Sequence, residues 1–260
     1  MSRTLHHTPK IFSSQIPDKS AQIAFFTECT RPFMLPIRPM TKSRFDIDRI
    51  DEALCEFQAQ FSHINDRLSL HREDLTRDMI DKILQGYLFL NHLLDQNIDL
   101  FSLGGLHALI ELNHIVLCGT DRRTRLEYHS HILETRKSFH NGIHAIQKWV
   151  IENSRAGKPH KLAAGFYALA LSQPQLFIEG NHRTENIILN YLLISAGEAP
   201  FVVNATNAFD YLELSGKIKF AHKKNIAKGK WALPGLRKEF RHFLKRAGHT
   251  RFLQPSRKDV

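Results

Sequence analysis

Apolar residues recur at steps of three and four along most of this chain, and that period commits it to helices. Ile50, Leu54, Phe57, Phe61 and Ile64 fall on one helical face. A second helix is expected after Thr76, with Ile80, Ile83, Leu84, Tyr87, Leu90 and Leu94 turned inward. A third is expected over about Leu103–Cys118, closed by Gly119 as a C-terminal cap. The period resumes with Ile143, Ile146, Val150 and Ile151, again over about His160–Leu171, and over Asn204–Leu214. Leu236, Phe240, Phe243 and Leu244 keep helical spacing between Pro234 and Gly248, which fits a helix docked on the core. Only residues 120–138 lack a clear 3.6-residue repeat, and a short hairpin or flap is expected there. The spacing predicts a nearly all-α chain without internal repeats.

Composition sets the outer limits. At 260 residues with 42% hydrophobic content, the chain can bury one large core. Residues 1–44 hold five of the ten prolines, at 9, 17, 32, 36 and 39, and read as an extended arm. A helical domain over 45–214 and a basic extension over 215–260 follow. Three widely spaced cysteines give neither a disulfide framework nor a zinc spacing. That suits a reducing, cytoplasmic compartment, and a secreted effector is also compatible. No apolar run approaches the ~18 residues of a membrane span. The net charge is +10, and fourteen Lys or Arg lie between Lys217 and Lys258, against Glu239 within that block and Asp259 just past it. This segment suits an acidic protein, an acidic membrane surface or nucleic acid, or is a solvated basic face without a partner.

Between two apolar helical runs lies Gln175-Leu176-Phe177-Ile178-Glu179-Gly180-Asn181-His182-Arg183-Thr184-Glu185-Asn186. Glycine at a helix start lets backbone approach a ligand closely. The free N–H groups of the first turn attract an anion, and Arg183 adds a full charge. Glu179 can hold a divalent cation that bridges phosphate oxygens. The stretch therefore reads as a phosphate-and-metal loop; a polar helix–helix turn is the plain alternative.

Leu162-Ala163-Ala164, then Phe177 to Asn181, Arg183-Thr184, Leu189 to Leu193, Gly197 and Pro200 together resemble the core of the Fic/death-on-curing (Fido) family. That family's loop runs His-Pro-Phe-x-Asp/Glu-Gly-Asn-Gly-Arg-x-x-Arg between two helices. The resemblance is ungapped over about Pro159–Val203 and extends more weakly back to about residue 85. It implies a mostly α, Fido-type helical bundle with a short β-hairpin flap that docks a target protein. It further implies transfer of AMP from ATP, or of another phosphate-containing group, to a protein Ser, Thr or Tyr hydroxyl. By resemblance, Glu179 would hold Mg²⁺, Gly180, Asn181 and the next amide would line an anion hole, and Arg183 would neutralise phosphate. Tyr128, His129, His131 and Ile132 fall where the flap is expected.

The departures cluster at the ends of the loop. Gln175 stands where the family has its general-base histidine, and an amide cannot accept a proton at neutral pH. Such a loss commonly costs roughly 10²–10⁴-fold in rate. Leu176 replaces the proline, His182 the second glycine, and Asn186 the last arginine, so a charge on the outer phosphates is missing. His182 is either a substitute base or phosphate contact, or a partly exposed residue of a degraded site. Ser69-Leu70-His71-Arg72-Glu73-Asp74 approximates the family's inhibitory helix, with Glu73 as its acid or as an ordinary exposed helix residue. The pairs His129/His131 and His140/His144 lack companion ligands at a metal spacing and read as solvated.

Overall fold

The computed structural model describes residues 43–223 and 229–254. Nearly all of the expected arm over 1–44, and residues 224–228 and 255–258 of the basic block, lie outside these residues. Among the described residues the fold is a bundle of nine α-helices with no β-sheet. They are α1 (Ile47–Asn65), α2 (Arg77–Asp95), α3 (Gly105–Cys118), α4 (Arg122–Glu127), α5 (His129–Ser154), α6 (Pro159–Leu171), α7 (Asn181–Ser195), α8 (Ala208–Phe220) and α9 (Gly229–Ala247).

Helix starts follow the local chemistry. Asp46 and Thr76 cap α1 and α2 by accepting the N–H of Arg49 and of Met79, each at 3.2 Å. Gly119, at φ 69°, ends α3. The expected inward faces of α1 and α2 are buried, apart from the partly buried Ile83.

The centre of the bundle is α7. Twelve of its fifteen residues are buried, so it is enclosed on every side rather than laid on a surface. It packs on α6, α3 and α2, while α6 in turn carries α5 and α9. The α5–α6 approach depends on Gly165, because a Cβ there would lie 2.0 Å from the Trp149 ring. The two ends of the described domain are sewn together: the Asp46 N–H donates to the Phe252 carbonyl and the Gln254 N–H to the Arg44 carbonyl, both at 2.9 Å. Buried Asn190 accepts the Phe201 N–H (2.7 Å) and donates to the Phe201 carbonyl (2.6 Å), which folds the chain after α7 back onto it. No helix among the described residues is long and apolar enough to cross a membrane.

Two expectations need correction. Residues 120–138 form no hairpin: Asp121 caps α4 by accepting the Thr124 N–H (2.9 Å), and after Tyr128 the chain runs straight into α5. The period was hidden because these residues bury almost nothing. Leu126 is 65% exposed, and the buried stripe of α5 begins only at Thr135, continuing through Phe139, Ile143, Ile146 and Val150. The second correction concerns Glu73, which lies not on a helix but in an irregular segment over 71–76 that leads into α2. That segment is held by side chains, since the Arg72 N–H donates to Asn65 Oδ1 (2.8 Å) and Asn65 Nδ2 donates to the Arg72 carbonyl (3.1 Å). A smaller difference is that the helix expected from Asn204 begins at Ala208, because Asn204 and Asn207 close the preceding turn with their side chains.

Candidate functional site

The loop between α6 and α7 is pinned at successive residues. The Leu176 N–H donates to the Ala170 carbonyl at 3.0 Å. Phe177 stacks on Phe139 of α5, with ring centroids 5.6 Å apart. The Asn181 side chain accepts the Phe177 N–H and donates back to its carbonyl, both at 2.9 Å. From α3, fully buried Asn113 donates to the Glu179 carbonyl and to Thr184 Oγ1, both at 3.0 Å. Asn113 therefore clamps the residues on either side of the turn into α7.

That turn is made by Gly180, at φ 70° and ψ 8°. L-residues avoid this region, and a Cβ here would lie 3.1 Å from Leu117 Cδ2 and 3.3 Å from Asn113 Nδ2. Glycine is required twice over. No side chain caps α7. The residues of its first turn, whose N–H groups have no partner within the helix, line a cavity of about 570 Å³.

Gly180, Asn181, His182 and Arg183 line that cavity, together with Gln175, Glu179, Asn186 and Glu73. Sequence-predicted site residues from two distant segments are thus brought together. Tyr128, His129, His131 and Ile132 are not: they sit at the α4–α5 junction and do not contribute to the lining. The cavity's other wall is apolar, formed by residues such as Leu54, Phe57 and Phe61 of α1 with Met79 and Ile83 of α2.

Each polar group plays a definite part. The Asn181 side-chain amide is engaged with both the N–H and the carbonyl of Phe177, so it braces the loop rather than serving a ligand. Arg183 Nη1 donates to the Val116 carbonyl at 3.4 Å, and Nη2 lies 3.9 Å from a carboxylate oxygen of Glu73, which is itself 74% exposed. Burial lowers the Arg183 pKa, but the group starts so high that it stays cationic. Glu179 is exposed at the rim. Asn186 is 7% exposed; its Oδ1 accepts from the Tyr87 hydroxyl at 3.3 Å, while its Nδ2 finds no partner among the described residues.

His182 belongs to a buried polar knot. Its Nδ1 is 3.3 Å from the Tyr167 hydroxyl, which is 2.8 Å from the Tyr211 hydroxyl, and Tyr211 donates back to the His182 carbonyl at 3.3 Å. The His182 Nε2 is buried without a partner among the described residues. Burial, and then the charges of Arg72, Lys219 and Arg183, push its pKa down to about 3. The imidazole is neutral at physiological pH and a weak proton acceptor.

Sequence reasoning did not single out Asn113, Arg72 or Lys219. Asn113 had a visible signal, an amide within a largely apolar helix. Arg72 and Lys219 had none: they are 147 positions apart, and only the tertiary fold places both in the lining of this cavity. Among the described residues no group of three His, Cys, Asp or Glu side chains could hold a metal ion. Comparisons with protein families, with curated proteins and with solved structures return no match.

Proposed function

We propose that this chain binds the phosphates of a magnesium-bound nucleotide in the cavity above Gly180–Arg183, in the manner of the Fic/death-on-curing proteins that its loop resembles. The observation that carries the reading is the uncapped N-terminus of α7, which opens at a left-handed glycine into a 570 Å³ cavity beside Arg183. Backbone N–H groups and the helix dipole favour an anion at that point, and Arg183 supplies a forked, permanently charged donor. The apolar wall from α1 and α2 offers a surface for the nucleoside. Glu179 fits a cation that takes its remaining ligands from phosphate oxygens and water, because magnesium is commonly held by only one or two carboxylates. Such an ion, when bound, neutralises and orients the phosphates. The chain's own residues position the ligand: Asn113 and Asn181 hold the loop, and Gly180 keeps the approach open.

In this reading, transfer of AMP or another phosphate-containing group to a protein Ser, Thr or Tyr hydroxyl is weak. Gln175 cannot take the hydroxyl proton, and a partly buried His182 with a pKa near 3 is far from the optimum for a general base at neutral pH. The test is a thermal-shift titration with MgATP, with Mg²⁺ alone and with ATP alone, for the wild type and Arg183→Ala. A MgATP-dependent shift that Arg183→Ala loses is expected. The absence of a shift with any magnesium-bound nucleotide overturns the reading. Incubation of α- and γ-labelled ATP with cell lysate then separates a transferase from a binding-only module, the reading favoured by the neutral amides Gln175 and Asn186.

A further inference from the structure

The phosphate reading accounts for Arg183 and the α7 N-terminus, but two more cations line the same cavity. Arg72 enters from the irregular segment before α2, and Lys219 from the last turn of α8. Arg72 is prepositioned: Asn65 holds its backbone, Nη2 donates to the Leu212 carbonyl at 2.9 Å, and its buried Nε has no partner among the described residues. The Lys219 carbonyl accepts from the Gln173 side chain at 3.3 Å, which ties that turn of α8 to the start of the α6–α7 loop. Both cations, like Arg183, share the lining of the cavity with His182, and their charges add to burial in lowering its proton affinity. Two unpartnered polar atoms, His182 Nε2 and Asn186 Nδ2, also belong to residues of this wall.

A single phosphate is satisfied by the helix N-terminus and Arg183. It would leave Arg72 and Lys219, both in the lining of the same cavity, without an anion to offset their charge, and like charge gathered at one site raises the free energy of the empty cavity. Asn186 is neutral, and both carboxylates of the lining are exposed at the rim, with Glu73 near Arg183.

We propose that Arg72 and Lys219 form the second half of the anion site and select ligands with two or more linked phosphates over a lone phosphate. The inference rests on the phosphate reading of the α7 N-terminus and extends it to residues outside the loop. Two adjacent anionic groups engage two cationic poles at once, and the second contact adds affinity without a second loss of translational freedom.

The probes are inorganic phosphate, pyrophosphate and tripolyphosphate, titrated at fixed ionic strength into the wild type, Lys219→Met, Arg72→Lys and Arg183→Ala, with thermal shift and calorimetry as readouts. The wild type binds pyrophosphate and tripolyphosphate more tightly than phosphate. Lys219→Met weakens pyrophosphate by about 10-fold, the equivalent of one charged contact, and leaves phosphate within about twofold. Arg72→Lys, which keeps the charge, retains most of the preference, so a loss of folding is not mistaken for a loss of selectivity. Arg183→Ala loses both ligands. Equal binding of phosphate and pyrophosphate by the wild type, or equal weakening of both by Lys219→Met, overturns this inference and leaves the phosphate reading standing. Failure of the wild type to bind any of the three anions removes both.

Discussion

Asn113 is the residue whose removal tests the architecture of the site most directly. Asn113→Ala deletes two 3.0 Å hydrogen bonds, to the Glu179 carbonyl and to Thr184 Oγ1. The Thr184 hydroxyl is fully buried, so it loses its partner without access to water. The Glu179 carbonyl is nearer the surface, and solvent replaces much of that bond. Against these losses, Asn113 Oδ1 is buried without a partner among the described residues, and its deletion recovers part of the cost. Two lost bonds at about 1 kcal/mol each, a stranded hydroxyl at about 1–2, and a recovery of about 1 give a net destabilisation of about 2–3 kcal/mol. In a domain of this size that lowers Tm by roughly 4–12 °C. Urea and thermal melts followed by circular dichroism measure it. A cycle with Thr184→Val isolates the coupling, expected at about 1 kcal/mol. The loop should also lose its grip on the ligand, so the MgATP thermal shift should shrink beyond what the stability change explains. A net loss under about 0.5 kcal/mol, or an unchanged ligand response alongside zero coupling, refutes the clamp.

Two further predictions concern pH. Glu185 is fully buried in the second turn of α7, neither carboxylate oxygen has a partner among the described residues, and burial raises its pKa well above the ordinary value despite the nearby Lys223 charge. A raised carboxyl contributes stability that is fully present below its unfolded pKa, near 4.5, and lost as pH rises toward the folded value. Glu185→Gln is therefore more stable than the wild type at pH 8, with a difference that grows above pH 5 by up to roughly 1.4 kcal/mol per pH unit; a pH-independent difference in denaturant melts contradicts this. For His182 the sign reverses: its folded pKa is depressed to about 3, so its contribution is present above about 6.5 and is lost as pH falls toward 3. His182→Gln should flatten the acid limb of the stability profile between those values, and parallel acid limbs for the two proteins would argue against a neutral imidazole with depressed proton affinity.

The placement of the helices was legible in the sequence because each carries its own evidence. Thr76 announces α2, Gly119 ends α3, and the 3.6-residue apolar period marks the inner faces of α1 and α2. Where local burial is thin the signal fails: α4 and the first turn of α5 expose their apolar side chains, so a capping interaction at Asp121, rather than a hydrophobic stripe, decides their shape. Glu73 was misplaced for a related reason, since a run of polar residues looks equally compatible with an exposed helix and with a segment held by Asn65.

For the site, the sequence by itself determined the local chemistry of Glu179 to Arg183: a glycine that can take a left-handed turn, a helix that starts uncapped, and an arginine within its first turn. Those are properties of neighbouring residues, and the chain carries them wherever it folds. The tertiary structure alone decided which distant groups share the cavity and in what state. Asn181 became a brace for Phe177, and Asn113 reached over from α3 to hold the loop. His182 was drawn into the Tyr167–Tyr211 hydroxyl pair, and partial burial together with the charges of Arg72, Lys219 and Arg183 lowers its proton affinity. A helical period fixes the face a residue occupies but not the partner that face will meet, and desolvation and charge depend on the partner.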